Sequence, residues 1–106
     1  MIIRIWHGYT TPENAEAYEQ LLKSKIFKDI EAKTGEGFES VELLKRHLNE
    51  GEVEFTTMMR FKDLDTIRKF TGEDHETAYV PEEARKLLVR FNQKVAHLEL
   101  RYVAKK

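Results

Sequence analysis

Histidine is the side chain best able to take and give a proton near neutral pH, and this chain has four. His7 stands inside the apolar run from Ile2 to Tyr9, IIRIWHGY. There an imidazole serves either as a general base or as a buried partner for a backbone group or a tyrosine. Tyr79 offers a phenolic hydroxyl that could position a phenolic ligand or donate to an oxyanion. A tyrosine in a seam between sheet and helices also packs well without any such role.

Two neighbours of His7 matter as much. Arg4, if buried, needs a partner, and Glu42 and Glu99 are acids that could supply one. Were it to face a pocket, it would bind a carboxylate or phenolate. Trp6 is the only tryptophan and suits an interface anchor. Strand residues alternate faces, so Ile3, Ile5 and His7 share one side, and Ile2, Arg4 and Trp6 the other. Aliphatic strand residues pack well under helices. On that ground His7 is expected to face the helices and a pocket, with Arg4 and Trp6 facing away from them.

His97 and Glu99 share a face of the last apolar segment with Arg101. With His7 they would make two imidazoles and a carboxylate, the donor set of some metal sites. Leu98 and Leu100 facing the helices would turn His97 away from His7, and no H-E-x-x-H spacing occurs, so no metal is expected. His47, beside a turn, and His75, within the acidic stretch Glu73-Asp74-His75-Glu76, read as surface residues.

The elements that must position these residues follow from local signals. Residues 2–9 read as a strand. Thr11-Pro12-Glu13 starts a helix whose apolar positions Tyr18, Leu21, Leu22, Ile26 and Ile30 fall near helical spacing, and Thr34-Gly35 ends it. Residues 37–48 and 52–61 form a hairpin around Asn49-Glu50-Gly51. Asp63 caps a helix carrying Leu64, Ile67 and Phe70, which Gly72 breaks. Pro81-Glu82-Glu83 starts another, with Leu87, Leu88 and Phe91 as its apolar face, and residues 95–103 alternate as a final strand. The order β-α-β-β-α-β is the ferredoxin-like arrangement: α+β, a four-stranded antiparallel sheet, helices on one face, strands one and three central and the fourth beside the first. The other face would be bare. Its simplest cover is a second copy of the chain, sheet against sheet.

Composition bounds the rest. At 106 residues the chain is expected to be one domain, residues 1–106. A net charge of -1 and the lack of a basic aromatic surface argue against a nucleic-acid partner. There is no cysteine, which removes disulfides and thiolate chemistry and is compatible with a reducing compartment. No apolar run approaches the roughly 20 residues of a membrane span, and no signal-peptide pattern precedes the first strand, so a cytoplasmic location is expected. Neither a Gly-rich phosphate loop nor G-x-S-x-G is present.

The words R-I-W-H-G-x-T-x-x-x-x-A-x-x-Y from Arg4 to Tyr18, V-E-F-T-T-M-M-R-F at 53–61, F-x-G-E-D at 70–74 and V-x-H-x-E at 95–99 run nearly end to end. Together they resemble the antibiotic-biosynthesis-monooxygenase-like branch of the dimeric α+β barrel proteins. That resemblance implies a homodimer whose two sheets close into a barrel, with a pocket in each protomer between sheet and helices. It implies cofactor-independent monooxygenation of a small aromatic or quinone-like compound, a haem-degrading activity, or a non-catalytic homodimeric ligand-binding or structural role. The matching pocket residues are His7, Phe70 and Tyr79, with Ile5 and Phe61 as further walls and His7 and Tyr79 in the catalytic roles. Arg4 and Trp6 would lie at the dimer interface. In the haem-degrading relatives a histidine close to the place of Val80 ligates iron. This chain has none there, so no cofactor is expected.

Overall fold

A computed structural model describes all 106 residues. The first strand, β1 (Ile2–Thr10), leads directly into α1 (Pro12–Leu21). Thr11 caps that helix by accepting a hydrogen bond from the Asn14 amide at 3.2 Å, and Pro12 takes a first-turn position where its missing N–H costs nothing. The helix widens into a π-turn over Leu22–Ile26 and tightens again as α2 (Phe27–Thr34). Within that wide turn Ser24 donates to the carbonyl of Gln20 at 2.7 Å, competing with the helix ladder at that point.

After a tight turn at Gly35–Gly37, β2 (Phe38–His47) and β3 (Val53–Phe61) form the hairpin. Asp63 caps α3 (Leu64–Thr71), accepting from the Thr66 amide at 2.8 Å and the Thr66 hydroxyl at 2.7 Å. An irregular stretch leads to the single turn α4 (Glu82–Arg85), then β4 (Leu88–Phe91) and β5 (Ala96–Glu99). The antiparallel sheet runs β2-β3-β1-β4, and β5 pairs with β1 as well. The expected order of the central strands is therefore present in an α+β chain. No helix is long and apolar enough to cross a membrane.

Two elements differ from the sequence expectation. The helix begun at Pro81 stops after one turn, and Leu88–Phe91 becomes a strand. β5 covers only Ile2–Ile5 of β1, which leaves the edge at Gly8–Thr10 unpaired. β4 fills that edge, and the Thr10 hydroxyl donates to the Leu87 carbonyl beside it. Backbone pairing outweighs the helical spacing of Leu87, Leu88 and Phe91. The final strand is also shorter than residues 95–103.

The third difference concerns β1, whose two faces are reversed from the expectation. β3 decides the matter. Its residues Val53, Phe55, Thr57, Met59 and Phe61 are all buried under the helices, while Thr56, Met58 and Arg60 between them are partly exposed. Antiparallel pairing sets Arg4 opposite Met59, Trp6 opposite Thr57 and Gly8 opposite Phe55. Arg4 and Trp6 consequently face the helices, and Ile3, Ile5 and His7 face the open side, opposite Arg60, Met58 and Thr56. Gly8 makes this possible. A Cβ there would press on the Trp6 ring and on Leu88, both at 3.2 Å.

One close approach ties the sheet to α3. A Cβ on Gly37 would run into the side chain of Thr66, the residue that completes the Asp63 cap. Gly37→Ala is expected to cost about 1–3 kcal/mol by overpacking, read as a lower urea midpoint at unchanged slope.

Candidate functional site

Between the sheet and the helices lies a cavity of about 50 Å³. β1 contributes Arg4 and Trp6, and β3 contributes Thr57 and Met59. The α1–α2 helix lines it with Tyr18, Leu22, Ile26, Phe27 and Ile30, so the π-turn turns two apolar side chains into it. Phe70 of α3 and the stretch Tyr79–Pro81 close another side, with Ala84 and Val95. The space is well below the roughly 300 Å³ of an ordinary small-molecule site, so a ring can enter only if a wall moves. Tyr79 is the exposed part of that wall, at 37%. Its segment is anchored on both sides: the Ala78 amide donates to the Gln93 carbonyl at 2.9 Å, Arg85 Nε to the Val80 carbonyl at 3.0 Å, and the Ala84 and Arg85 amides to the Pro81 carbonyl at 3.0 and 3.1 Å.

Arg4 is the unusual member. It keeps only 6% of its exposure, yet no carboxylate accompanies it, contrary to the expectation of Glu42 or Glu99. Glu42 instead lies 3.8 Å from Arg60, and Glu99 3.8 Å from Arg101. One nitrogen of the guanidinium, Nη1, donates to the His75 carbonyl at 2.7 Å and to Nε2 of His97 at 2.9 Å. The guanidinium carbon also stands 5.1 Å from the centre of the Phe70 ring. Burial lowers the Arg4 pKa to about 10, which leaves it charged at neutral pH.

His97 accepts that hydrogen bond because it is neutral. Burial first, then the charge of Arg4 and the neighbouring His75, pull its pKa down to about 4. The rings of His75 and His97 meet edge-on at 5.2 Å, and Nδ1 of His75 is buried with no partner. His75 is thus part of this cluster and not the plain surface residue its acidic surroundings suggested. Sequence spacing does place His97 on the opposite face from His7, but for an inverted reason: Leu98 looks outward and is half exposed.

Aromatic side chains back the cavity. Phe61 stacks on Phe70 at 5.8 Å, and Phe70 meets Tyr79 edge-on at 5.8 Å. Phe61 therefore supports the wall from behind without lining it. Trp6 donates its indole N–H to the Asn92 carbonyl at 2.7 Å and tilts against Phe91 at 5.8 Å. Burial pushes the Tyr18 hydroxyl well above the ordinary tyrosine range, and no neighbouring charge offsets the shift. Tyr18 and Thr57 were not singled out from the sequence as site residues, and His97 was weighed there only as a metal ligand. Only the β1–β5 register, which sets Arg4 opposite His97, brings the last of them to the site.

His7 sits elsewhere. With Thr56, Glu54, Leu44, Lys45 and Arg46 it lines an open groove on the other face of the sheet. Its Nδ1 lies 2.9 Å from the Thr56 hydroxyl and 3.8 Å from Glu54. Glu54 is held ionised, below the usual carboxylate range, chiefly by a hydrogen bond from Arg46 at 2.5 Å. Ile5 looks to the same side. The structure thus brings Phe70 and Tyr79 to the helix-side cavity together with Arg4 and Trp6, and leaves His7 and Ile5 outside it.

The sequence matches no family model and no curated protein. The likeness to known proteins is in the fold: the chain has the α+β fold of the antibiotic biosynthesis monooxygenase-like proteins. A candidate antibiotic biosynthesis monooxygenase from Bacillus cereus superposes with a TM-score of 0.63 at 11% identity, over 99% of this chain and 95% of that one. A monooxygenase of Streptomyces coelicolor, in complex with the ligand nanaomycin D, gives 0.63 at 12% identity over 99% and 91%. SnoaB, a cofactor-independent oxygenase from Streptomyces nogalater, gives 0.56 at 15% identity over 99% and 98%. Haem does not fit the cavity of this chain, which is far too small for it and offers no imidazole or thiolate to iron.

The His97 environment has a consequence for stability. In the unfolded chain this imidazole takes a proton near pH 6.5, but in the folded protein only near pH 4. Between those values the unfolded state binds more protons, so stability is full above pH 6.5 and is lost as pH falls toward 4. The carboxylates whose values are lowered on folding, Glu52, Glu54, Asp63 and Asp74, stabilise throughout that window and lose their contribution only as pH falls through their ordinary range, at about pH 4.5 and below. Urea midpoints are expected to fall from pH 6.5 to 5, and His97→Gln to flatten that fall.

Proposed function

We propose that the chain is a small-molecule pocket protein acting as a cofactor-independent monooxygenase on a small phenolic or quinone-forming aromatic. The ligand site is the helix-side cavity. One observation carries this reading: a small cavity walled by Trp6, Phe70 and Tyr79 contains a buried, acid-free guanidinium. Aromatic walls suit a flat ring, and an apolar enclosure keeps water from a reactive intermediate. Supporting it, proteins of this fold include a cofactor-independent oxygenase.

In the proposed reaction O2 is the oxidant and the ring supplies four electrons. One oxygen atom bonds to a ring carbon para to the hydroxyl. The other leaves as water with the hydrogens of that C–H and of the O–H, so a phenol becomes a quinone. Ring entry requires a wall to move, and the Tyr79 side chain, the exposed member of the lining, is the one placed to swing away.

The open face of the sheet carries Ile3, Ile5, Met58 and Leu98, two of them directly paired across β1 and β3. The proposed cover for that patch is a second copy of the chain. This replaces Arg4 and Trp6 as interface residues, since both lie under the helices. A dimer mass by sedimentation at micromolar concentration is expected for the wild type, and a monomer mass for Ile5→Glu. A wild-type monomer would refute the pairing.

Oxygen uptake with simple phenols and naphthols tests the reaction. Ala84, 2% exposed, lines the cavity, and Ala84→Leu should fill it and lower turnover at least tenfold. His7→Ala should stay within about twofold of wild type, because His7 is on the other face. The reverse pattern would move the chemistry to the open groove. Ligand binding without oxygen uptake by the wild type would favour the non-catalytic alternative.

A further inference from the structure

Arg4 is a buried cation whose hydrogen bonding is unfinished. Nη1 makes both of its bonds, to the His75 carbonyl and to His97 Nε2. Both acceptors are neutral. Nε and Nη2 make no hydrogen bond to the protein, and neither is among the buried polar atoms sealed away without a partner. Arg4 lines the cavity, so these donors have open space beside them.

The energetics favour an occupant of one chemical kind. Burying a charge is costly, and two hydrogen bonds to neutral acceptors offset only part of that cost. A guanidinium edge presents two parallel donors, which match an oxyanion in both geometry and charge. The Phe70 ring against one side of the guanidinium fixes its plane, and His97, neutral and accepting, fixes its rotation.

Resting on the reading above, we infer that Arg4 is an oxyanion-binding residue: the cavity takes its aromatic ligand as the phenolate or an equivalent ring-borne oxyanion, held on the free Nε–Nη2 edge of Arg4. The bound phenol gives its proton to bulk solvent, and the ring keeps the electron pair. That anion is the electron-rich form O2 requires. His97 acts as a positioning residue, because it touches Arg4 and not the ligand.

The probe is 4-nitrophenol, whose ionised form absorbs visible light and whose neutral form does not, with 4-nitroanisole as the analogue that cannot ionise. Trp6, the only tryptophan and a cavity wall, reports binding by quenching. At a pH one unit below that of half-ionisation of the free dye, the wild type should bind 4-nitrophenol at least tenfold tighter than 4-nitroanisole. The bound dye should carry the phenolate band. Arg4→Met should lose both the preference and the band, and Arg4→Lys should keep part of each.

Dye that quenches Trp6 but stays neutral in the wild type overturns the inference and leaves the aromatic pocket standing. A phenolate band that persists in Arg4→Met overturns it equally. No quenching by either compound defeats the pocket reading, and this inference with it. Should Arg4→Met not fold, Arg4→Gln replaces it, and the wild-type spectrum and the preference between the two compounds still decide.

Discussion

The constraint on which the rest depends is the pairing of β1 with β3. β3 commits its alternate residues Val53, Phe55, Thr57, Met59 and Phe61 to the core, and nine consecutive register pairs carry that commitment across to β1. β1 has no strong preference of its own. One of its faces offers Ile2, Arg4, Trp6, Gly8 and Thr10, and the other Ile3, Ile5, His7 and Tyr9. The partner strand settles the choice against the more aliphatic face, because five buried residues on β3 outweigh two isoleucines on β1.

Everything polar in the cavity follows from that choice. A guanidinium placed under the helices is cut off from most water, and no acid pairs with it. It is satisfied in part by β5, whose register delivers His97, and by the backbone of the segment after α3, which delivers the His75 carbonyl. Burial beside the Arg4 charge keeps His97 neutral, and only a neutral imidazole can accept from Arg4. Phe70 and Tyr79, which sequence words had already associated with a pocket, complete the wall around a charge that those words did not place there.

The reversed facing also explains the opposite side of the sheet. His7, Thr56, Glu54 and Arg46 form a connected polar group at one end, while Ile3, Ile5, Met58 and Leu98 form an apolar patch at the other. A face divided in this way differs from the uniformly apolar one that a Trp6 anchor would have supplied. The aliphatic half is the part that water penalises, and it lies beside β5, where Leu98 is half exposed.

Taken alone, the sequence was enough for the number and order of most elements. Helix starts at Thr11-Pro12 and Asp63, the turn at Asn49–Gly51 and the strand runs are local signals, carried by capping, glycine conformation and side-chain shape. It was also enough to mark Arg4, Trp6, His7, Phe70 and Tyr79 as residues worth asking about. It could not say which of them meet. Period-two alternation defines two faces but not which is inward, since that depends on the burial of a partner strand some fifty residues away. Leu88–Phe91 shows the same limit from the other direction. Its helical spacing was real, yet an unpaired edge on β1 claimed it as a strand. Tertiary structure decided the facing of β1, the rescue of its edge by β4 and the pairing of Arg4 with His97. All three are non-local, and each minimises unpaired backbone or exposed apolar surface across the whole sheet.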